Sequence, residues 1–115
     1  MTVTRVMPVV TVTDLAAAVA EHRAVLGLEV VMDRGWIATL ANSDHSCQVS
    51  VMTKDQTAPC NPAVSIEVSD VDARYQAALD ASLEIVHPLS DEEWGVRRFF
   101  YRDSAGTVVN VLTHH

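Results

Sequence analysis

The side chains able to do chemistry are few, and their spacing is the first constraint on what the protein does. Histidines stand at 22, 45 and 87, with His114-His115 at the end of the chain, and no HxH or HxxxH spacing joins the internal three. No two imidazoles are therefore set on one face of a helix or strand to share a metal ion. His22 falls in a helical stretch, His45 in the turn Asn42-Ser43-Asp44-His45-Ser46, and His87 in a loop before Pro88, where packed or solvated roles outweigh ligation. The two cysteines, Cys47 and Cys60, are too few for a disulfide scaffold and lack metal spacing, so reduced thiols in the cytoplasm are expected. His45 and Cys47 share strand parity, but no third group orients them. Cys47 is expected to face the helices, where a thiol is inert. The run Asp91-Glu92-Glu93 reads as a solvated rim that could attract a cation, and Trp36 and Trp94 offer flat faces for stacking.

The elements that would position these groups come in two similar sets. Val6 to Val12 is a β-branched strand closed by Thr13-Asp14, whose short carboxylate can accept from the first free N–H groups of a helix. Helix periodicity then runs from Leu15 to Leu26 and stops at Gly27, where a left-handed residue is needed. Leu28-Glu29-Val30-Val31 opens the next strand. The same grammar returns fifty-six residues on: strand Ala63–Val68, cap Ser69-Asp70, helix Val71–Ala81, Ser82 in place of the glycine, and Leu83-Glu84-Ile85-Val86. At an offset of sixty, Gly35–Leu40 matches Gly95–Phe100, and Val49–Thr53 matches Val109–Thr113.

Each half thus reads strand, helix and three strands. The expected class is α+β: two βαβββ repeats (1–53 and 62–115, joined by the polar linker 54–61) within a single domain. They are expected to form a curved mixed sheet around a cleft, with the helices on the convex side.

The chain has 115 residues, 49% hydrophobic and 20% charged, with a formal net charge of −7. That charge weighs against phosphate-backbone binding, which needs clustered Lys and Arg, and suits a cationic ligand. No stretch reaches the ~20 apolar residues of a membrane span, and the first residues lack the features of a signal peptide. Neither nucleic acid nor membrane is an expected partner.

The stretch Trp94-Gly95-Val96-Arg97-Arg98-Phe99-Phe100 followed by Asp103-Ser104-Ala105-Gly106-Thr107 resembles a signature of the vicinal oxygen chelate (glyoxalase/bleomycin resistance protein/dioxygenase) superfamily, in the form of its bleomycin-resistance-like branch. Ser104 stands where proline is usual and Thr107 where asparagine is usual. Val12-Thr13-Asp14-Leu15 and Leu26-Gly27-Leu28-Glu29-Val30 look like the family's first strand and helix, so the resemblance spans nearly the whole chain.

The resemblance implies four metal-ligand positions, which fall on Met7, Ser50, Ala63 and Asn110. Their side chains offer no credible donor set for a hard or borderline divalent ion, so neither metal nor cofactor is expected. If Met7 and Asn110 face the cleft, strand alternation brings Val9, Thr11, Gln48, Ser50, Met52, Ser65, Glu67, Val108 and Leu112 to the same face. The opposite parity is more uniformly apolar and belongs under the helices. The family pattern turns Arg98 and Phe100 inward, and the repeat adds Trp36, Ala38 and Leu40, with Trp94 at the mouth.

The expected ligand-binding residues are therefore Trp36, Gln48, Ser50, Met52, Glu67, Trp94, Arg98, Phe100 and Asn110. Glu67 is the best acid–base candidate, because apolar walls would favour its protonated form, although pairing with Arg98 would restore the carboxylate. The bland alternative fills the same space with side chains. The expected protein is metal-free and homodimeric, and it binds or sequesters a small, aromatic or cationic molecule in the manner of antibiotic resistance. The alternative is a lyase, isomerase or dioxygenase-like enzyme with a non-standard site.

Overall fold

A computed structural model describes residues 2–114. The chain is α+β, with the element order strand, helix and three strands occurring twice. β1 (Val3–Thr11), α1 (Leu15–Leu26), β2 (Glu29–Asp33), β3 (Ile37–Ala41) and β4 (Gln48–Met52) make the first set. β5 (Val64–Val68), α2 (Val71–Asp80), β6 (Glu84–Glu92), β7 (Val96–Arg102) and β8 (Val108–His114) make the second. Two compact units result, one of them Met7–Asn61, while the first residues of β1 belong with the chain from Pro62 onward.

Within Met7–Asn61, β2 pairs antiparallel with β3, β3 antiparallel with β4, and β4 parallel with β1. α1 packs on β3 and β4, burying Ala38, Leu40 and Val51 beneath Val12, Leu15 and Val19. Asp14 caps the helix by accepting from the Ala17 N–H at 3.0 Å, and Gly27 ends it in the left-handed region at φ 68°. The segment after β4 is more than a polar connector. Asp55 is fully buried, its carboxylate accepting from the Thr57 N–H (2.9 Å) and hydroxyl (2.7 Å). Asn61 accepts from the Asp55 N–H at 2.7 Å and donates to the Thr53 carbonyl.

In the second unit β5 pairs parallel with β8, which pairs antiparallel with β7, and β7 antiparallel with β6. The start of β1 joins here, the Ser69 N–H donating to Thr2 O and the Thr4 hydroxyl to Glu67 O. α2 covers one face, with Val71, Tyr75 and Ala78 on Val68, Phe99, Val109 and Val111. Phe99 meets Tyr75 edge-on at 5.0 Å between ring centroids, a favoured aromatic geometry. Asp70 sits at the N-cap position without a capping bond and pairs instead with Arg74 at 3.5 Å.

Three expectations need correction. The strand read as Leu83–Val86 continues to Glu92, through register irregularities at 85–87 and 87–90. His87 and Glu92 are consequently strand residues rather than parts of a loop and a solvated rim. Cys47 precedes β4 in an exposed turn instead of facing a helix. The third correction concerns parity in β3. Register pairs Ala38 with Val51 and Thr39 with Ser50, so Ala38 and Leu40 lie in the helix-side core, not on the face of Ser50. The reason is one residue: six residues, 42–47, join β3 to β4, but five, 103–107, join β7 to β8. An offset of sixty is right for β4 and β8 and one short for β3 and β7, and a one-residue slip reverses every side chain.

Ser82 replaces the glycine and adopts φ 58°, a conformation costly for a residue with a Cβ. Ser82→Gly is expected to stabilise the protein by about 0.5–1 kcal/mol, read as a raised urea midpoint at unchanged slope. An unchanged or lowered midpoint would contradict this.

Candidate functional site

On the second unit, the face turned away from α2 is built from rows of side chains set by strand register. Ser90 of β6, Arg98 of β7, Leu112 of β8 and Glu67 of β5 form one row. His87, Phe100, Asn110 and Ser65 form the next. Glu92, Val96 and His114 form a third. The opposite parity of the same strands, with Phe99, Val109 and Val111, is the core under α2. One face is therefore apolar and the other mixed, as alternation requires of a half-covered sheet.

The centre of the mixed face is a buried arginine. Arg98 is 4% exposed, with its guanidinium 4.8 Å from the Phe100 ring centroid and 5.1 Å from that of Trp94. Both contacts lie within cation–π range. Glu92 is its carboxylate partner, with Nη2 to Oε2 at 3.5 Å, and the other Glu92 oxygen is 3.2 Å from Nε2 of His87. The Glu92 side chain is 9% exposed and that of His87 13%. His87 leans against Phe100 at 5.3 Å between centroids. One buried carboxylate thus serves an arginine and an imidazole together.

A second cluster occupies the β5 side. Glu67 takes Arg5 Nε on Oε1 at 2.9 Å and His114 Nδ1 on Oε2 at 2.6 Å. Glu67 and Arg98 share a row but do not pair, because each has nearer partners. Both carboxylate oxygens of Glu67 are engaged, which leaves it poorly placed as a proton acceptor for a ligand.

Between the clusters lies Asn110, 7% exposed. Its amide nitrogen donates to Ser65 Oγ at 3.0 Å, and its Oδ1 is buried with no hydrogen-bond partner. Such a group costs about 1–3 kcal/mol unless something donates to it.

The remaining expected site residues lie on the other unit. Ser50 shares a 2.8 Å hydrogen bond with Thr39, both buried. Met52 is buried on the same face, in register with Ile37. Gln48 donates to the His45 carbonyl at 3.0 Å from the end of β4. Trp36 sits in the turn before β3, its carbonyl accepting from the Thr53 N–H. Asp44 in the neighbouring turn is held below the usual carboxylate range by hydrogen bonds from the Ser46 side chain and backbone.

The donor chemistry at the four family metal positions does not fit a divalent ion. Met7 offers a thioether, Ser50 a hydroxyl already bonded to Thr39, exposed Ala63 a methyl group, and Asn110 an amide. Among the described residues, no group of three or more His, Cys, Asp or Glu side chains is arranged to hold a metal. No helix among them is long and apolar enough to cross a membrane.

Sequence reasoning missed His87, Glu92, Arg5 and His114 as site residues. The inward face of Arg98 and Phe100 is implied by the family resemblance. The bulges that place His87 opposite Phe100 and Glu92 opposite Val96 carry no signal that periodicity could detect.

Known proteins share this outline. The family model described as Glyoxalase/Bleomycin resistance protein/Dioxygenase superfamily matches residues 3–111. A search of curated proteins returns no match. Among solved structures, a chain described as NAD-dependent benzaldehyde dehydrogenase from Legionella pneumophila superposes with a TM-score of 0.78 at 11% identity, covering 96% of this chain and 100% of that one. A methylmalonyl-CoA epimerase from Streptomyces coelicolor gives 0.76 at 20% identity, covering 97% and 95%. A glyoxalase/bleomycin resistance protein/dioxygenase superfamily member from Vibrio splendidus gives 0.72 at 18%, covering 95% and 97%. At these identities the likeness concerns the fold alone.

Arg98→Met should cost about 3 kcal/mol or more, because it leaves Glu92 buried beside His87 alone. Adding Glu92→Leu should recover most of that loss. Urea denaturation of the single and double variants reads the coupling, and purely additive losses would show that the two residues act independently.

Proposed function

Because the chain belongs to the glyoxalase/bleomycin resistance protein/dioxygenase superfamily, we propose that it is a metal-free small-molecule binding protein of the bleomycin-resistance-like branch, sequestering a drug or metabolite. The observation that carries this reading is Asn110. Its carbonyl oxygen is buried without a donor at a position where metal-dependent relatives hold a ligand atom. A folded protein retains such a group at a cost, and a bound molecule carrying an N–H or O–H would offset it. Phe100 pairs in register with Asn110 and Trp94 lies over Arg98, aromatic neighbours that favour a ligand with a ring.

The enzymatic alternative draws on relatives such as the epimerase, but the residues here support it less. The four family positions lack a donor set, and both oxygens of Glu67 are occupied by Arg5 and His114. Two free cysteines, one of them exposed, suit a reducing cytoplasm.

The partner is taken to be a second copy. β2 ends the sheet of its unit beside exposed Val25, Leu26, Val30 and Val31, an apolar edge that single chains avoid leaving bare. Val30→Lys with Val31→Lys is expected to convert a dimer to a monomer in sedimentation velocity. Unchanged sedimentation of that variant would count against this edge.

Ligand binding is tested by tryptophan fluorescence. A panel of neutral, cationic and anionic aromatic compounds and glycopeptide-type drugs is expected to include molecules that quench both wild type and Trp36→Phe, since Trp94 lies on Arg98. Asn110→Leu with Ser65→Ala should abolish the quenching while leaving thermal stability unchanged or raised. A flat titration across the whole panel, or quenching that survives in the double variant, would refute the assignment.

A further inference from the structure

We infer that the second unit carries a further ligand site on its helix side: the pocket beneath α2 takes an amphipathic carboxylate, with its apolar tail inside and its head at Arg74. This site is independent of the mixed face. The parity that turns Arg98 and Phe100 to one side of β7 turns Phe99 to the other, with Val111 of β8 beside it.

α2 does not close completely on its sheet. Ala77 and Ala78 of the helix wall a pocket of about 290 Å³, floored by Val68, Phe99 and Val111. Side chains as short as alanine leave open the space that a leucine would fill. Leu83, just past α2, and Tyr101, in register with Ile85 of β6, line it further, as does Val3 of β1. Every one of these residues belongs to the same compact unit, because the first residues of β1 join the chain from Pro62 onward.

The lining asks for hydrocarbon. Protein interiors leave few voids larger than a water molecule. A water held inside needs about two to four polar partners, which these walls do not offer. An apolar cavity of about 150 Å³ admits a benzene ring, so this pocket has room for a ring with a short arm or a chain of similar bulk. Val68, Ala78, Phe99 and Val111 are buried, whereas Val3, Arg74 and Ala77 are exposed and mark the mouth. A tail can therefore enter while its polar end stays in solvent, and burial of the tail supplies most of the affinity.

Arg74 selects the head. Among the described residues that line the pocket, it alone is charged. Its ion pair is with Asp70, one turn back on the helix, made through Nε at 3.5 Å with the two side chains 44% and 40% exposed. A well-formed charge-assisted bond is about 2.7–2.9 Å, and the two Nη groups remain to meet a carboxylate. Asp70 does not line the pocket, so a ligand head at the mouth meets the guanidinium first. The other carboxylates of α2 are engaged elsewhere, Asp72 by Arg97 and Asp80 by Gln76. The net charge of −7 is screened over about 8 Å at physiological salt, which leaves the charge at the mouth to decide. An exposed ion pair changes affinity by at most about fivefold. Arg74 thus discriminates between heads rather than supplying the binding.

The test is calorimetric titration of the full chain with octanoate, octanol and octylammonium, which share a tail and differ in head. Octanoate is expected to bind about three- to fivefold more tightly than octylammonium at physiological salt. Arg74→Gln should remove that preference and leave octanol binding as in the wild type. Ala77→Leu, at an exposed helical position that accepts leucine, should abolish binding of all three while the urea midpoint is unchanged or raised. Octylammonium binding as tightly as octanoate, or a preference for octanoate that persists in Arg74→Gln, would overturn the role of Arg74 and with it the anionic head. Octanoate binding that survives in folded Ala77→Leu would put the ligand elsewhere and overturn the site. Absence of binding by all three probes would overturn the inference as a whole, and would leave the reading of the mixed face to its own fluorescence test.

Discussion

Everything in this protein hangs on the two-residue period of a β-strand. Each of β5, β7 and β8 must give one set of side chains to the helix and the other to the site. Phe99 can fill the core against Tyr75 only if Arg98 and Phe100 point the other way. The core therefore fixes the site: apolar burial beneath α2, at roughly 25 cal/mol per Å², holds the strands in one register, and that register sets Arg98, Phe100 and Asn110 side by side. A slip that moved Arg98 into the core would bury an unpaired charge and expose Phe99. The functional face and the hydrophobic face are one constraint seen from two sides.

The same period explains what the sequence reveals and what it hides. The inward face of Arg98 and Phe100 is implied by the family resemblance, while the element order, the Asp14 cap and the left-handed Gly27 follow from local residue types and alternation. The faces of Ala38 and Leu40 do not, because the β3–β4 connection is one residue longer than β7–β8, and a repeat-based alignment cannot place that residue. His87 and Glu92 are hidden for a related reason. Two irregularities in β6 break alternation, and only tertiary pairing with β7 decides on which side those residues emerge. The Glu67–His114 contact spans 47 positions in the chain and has no local signature.

The two repeats have diverged chemically on a shared frame. At matching places on the face away from the helix, one unit carries Thr39 and Ser50, joined in a closed hydrogen bond, and the other carries Phe100 and Asn110. A hydroxyl pair satisfies itself and is inert. An asparagine bonded only through its nitrogen, beside an aromatic ring, leaves an acceptor open. Similar folding demands met by different residues leave one repeat with a self-satisfied face and the other with unfinished hydrogen bonding.

Arg98 shows how such a face can keep a charge buried. A buried arginine with a tight bidentate carboxylate would be a structural ion pair, with little left to offer a ligand. A buried arginine with no carboxylate would carry an uncompensated charge in the folded protein. Glu92 Oε2 lies 3.5 Å from Nη2 of Arg98, and its second oxygen is held by His87. The aromatic rings stabilise the guanidinium through its faces, so its hydrogen bonds are made in its own plane. Sharing one carboxylate between two basic groups ties His87 and Glu92 of β6 to Arg98 of β7.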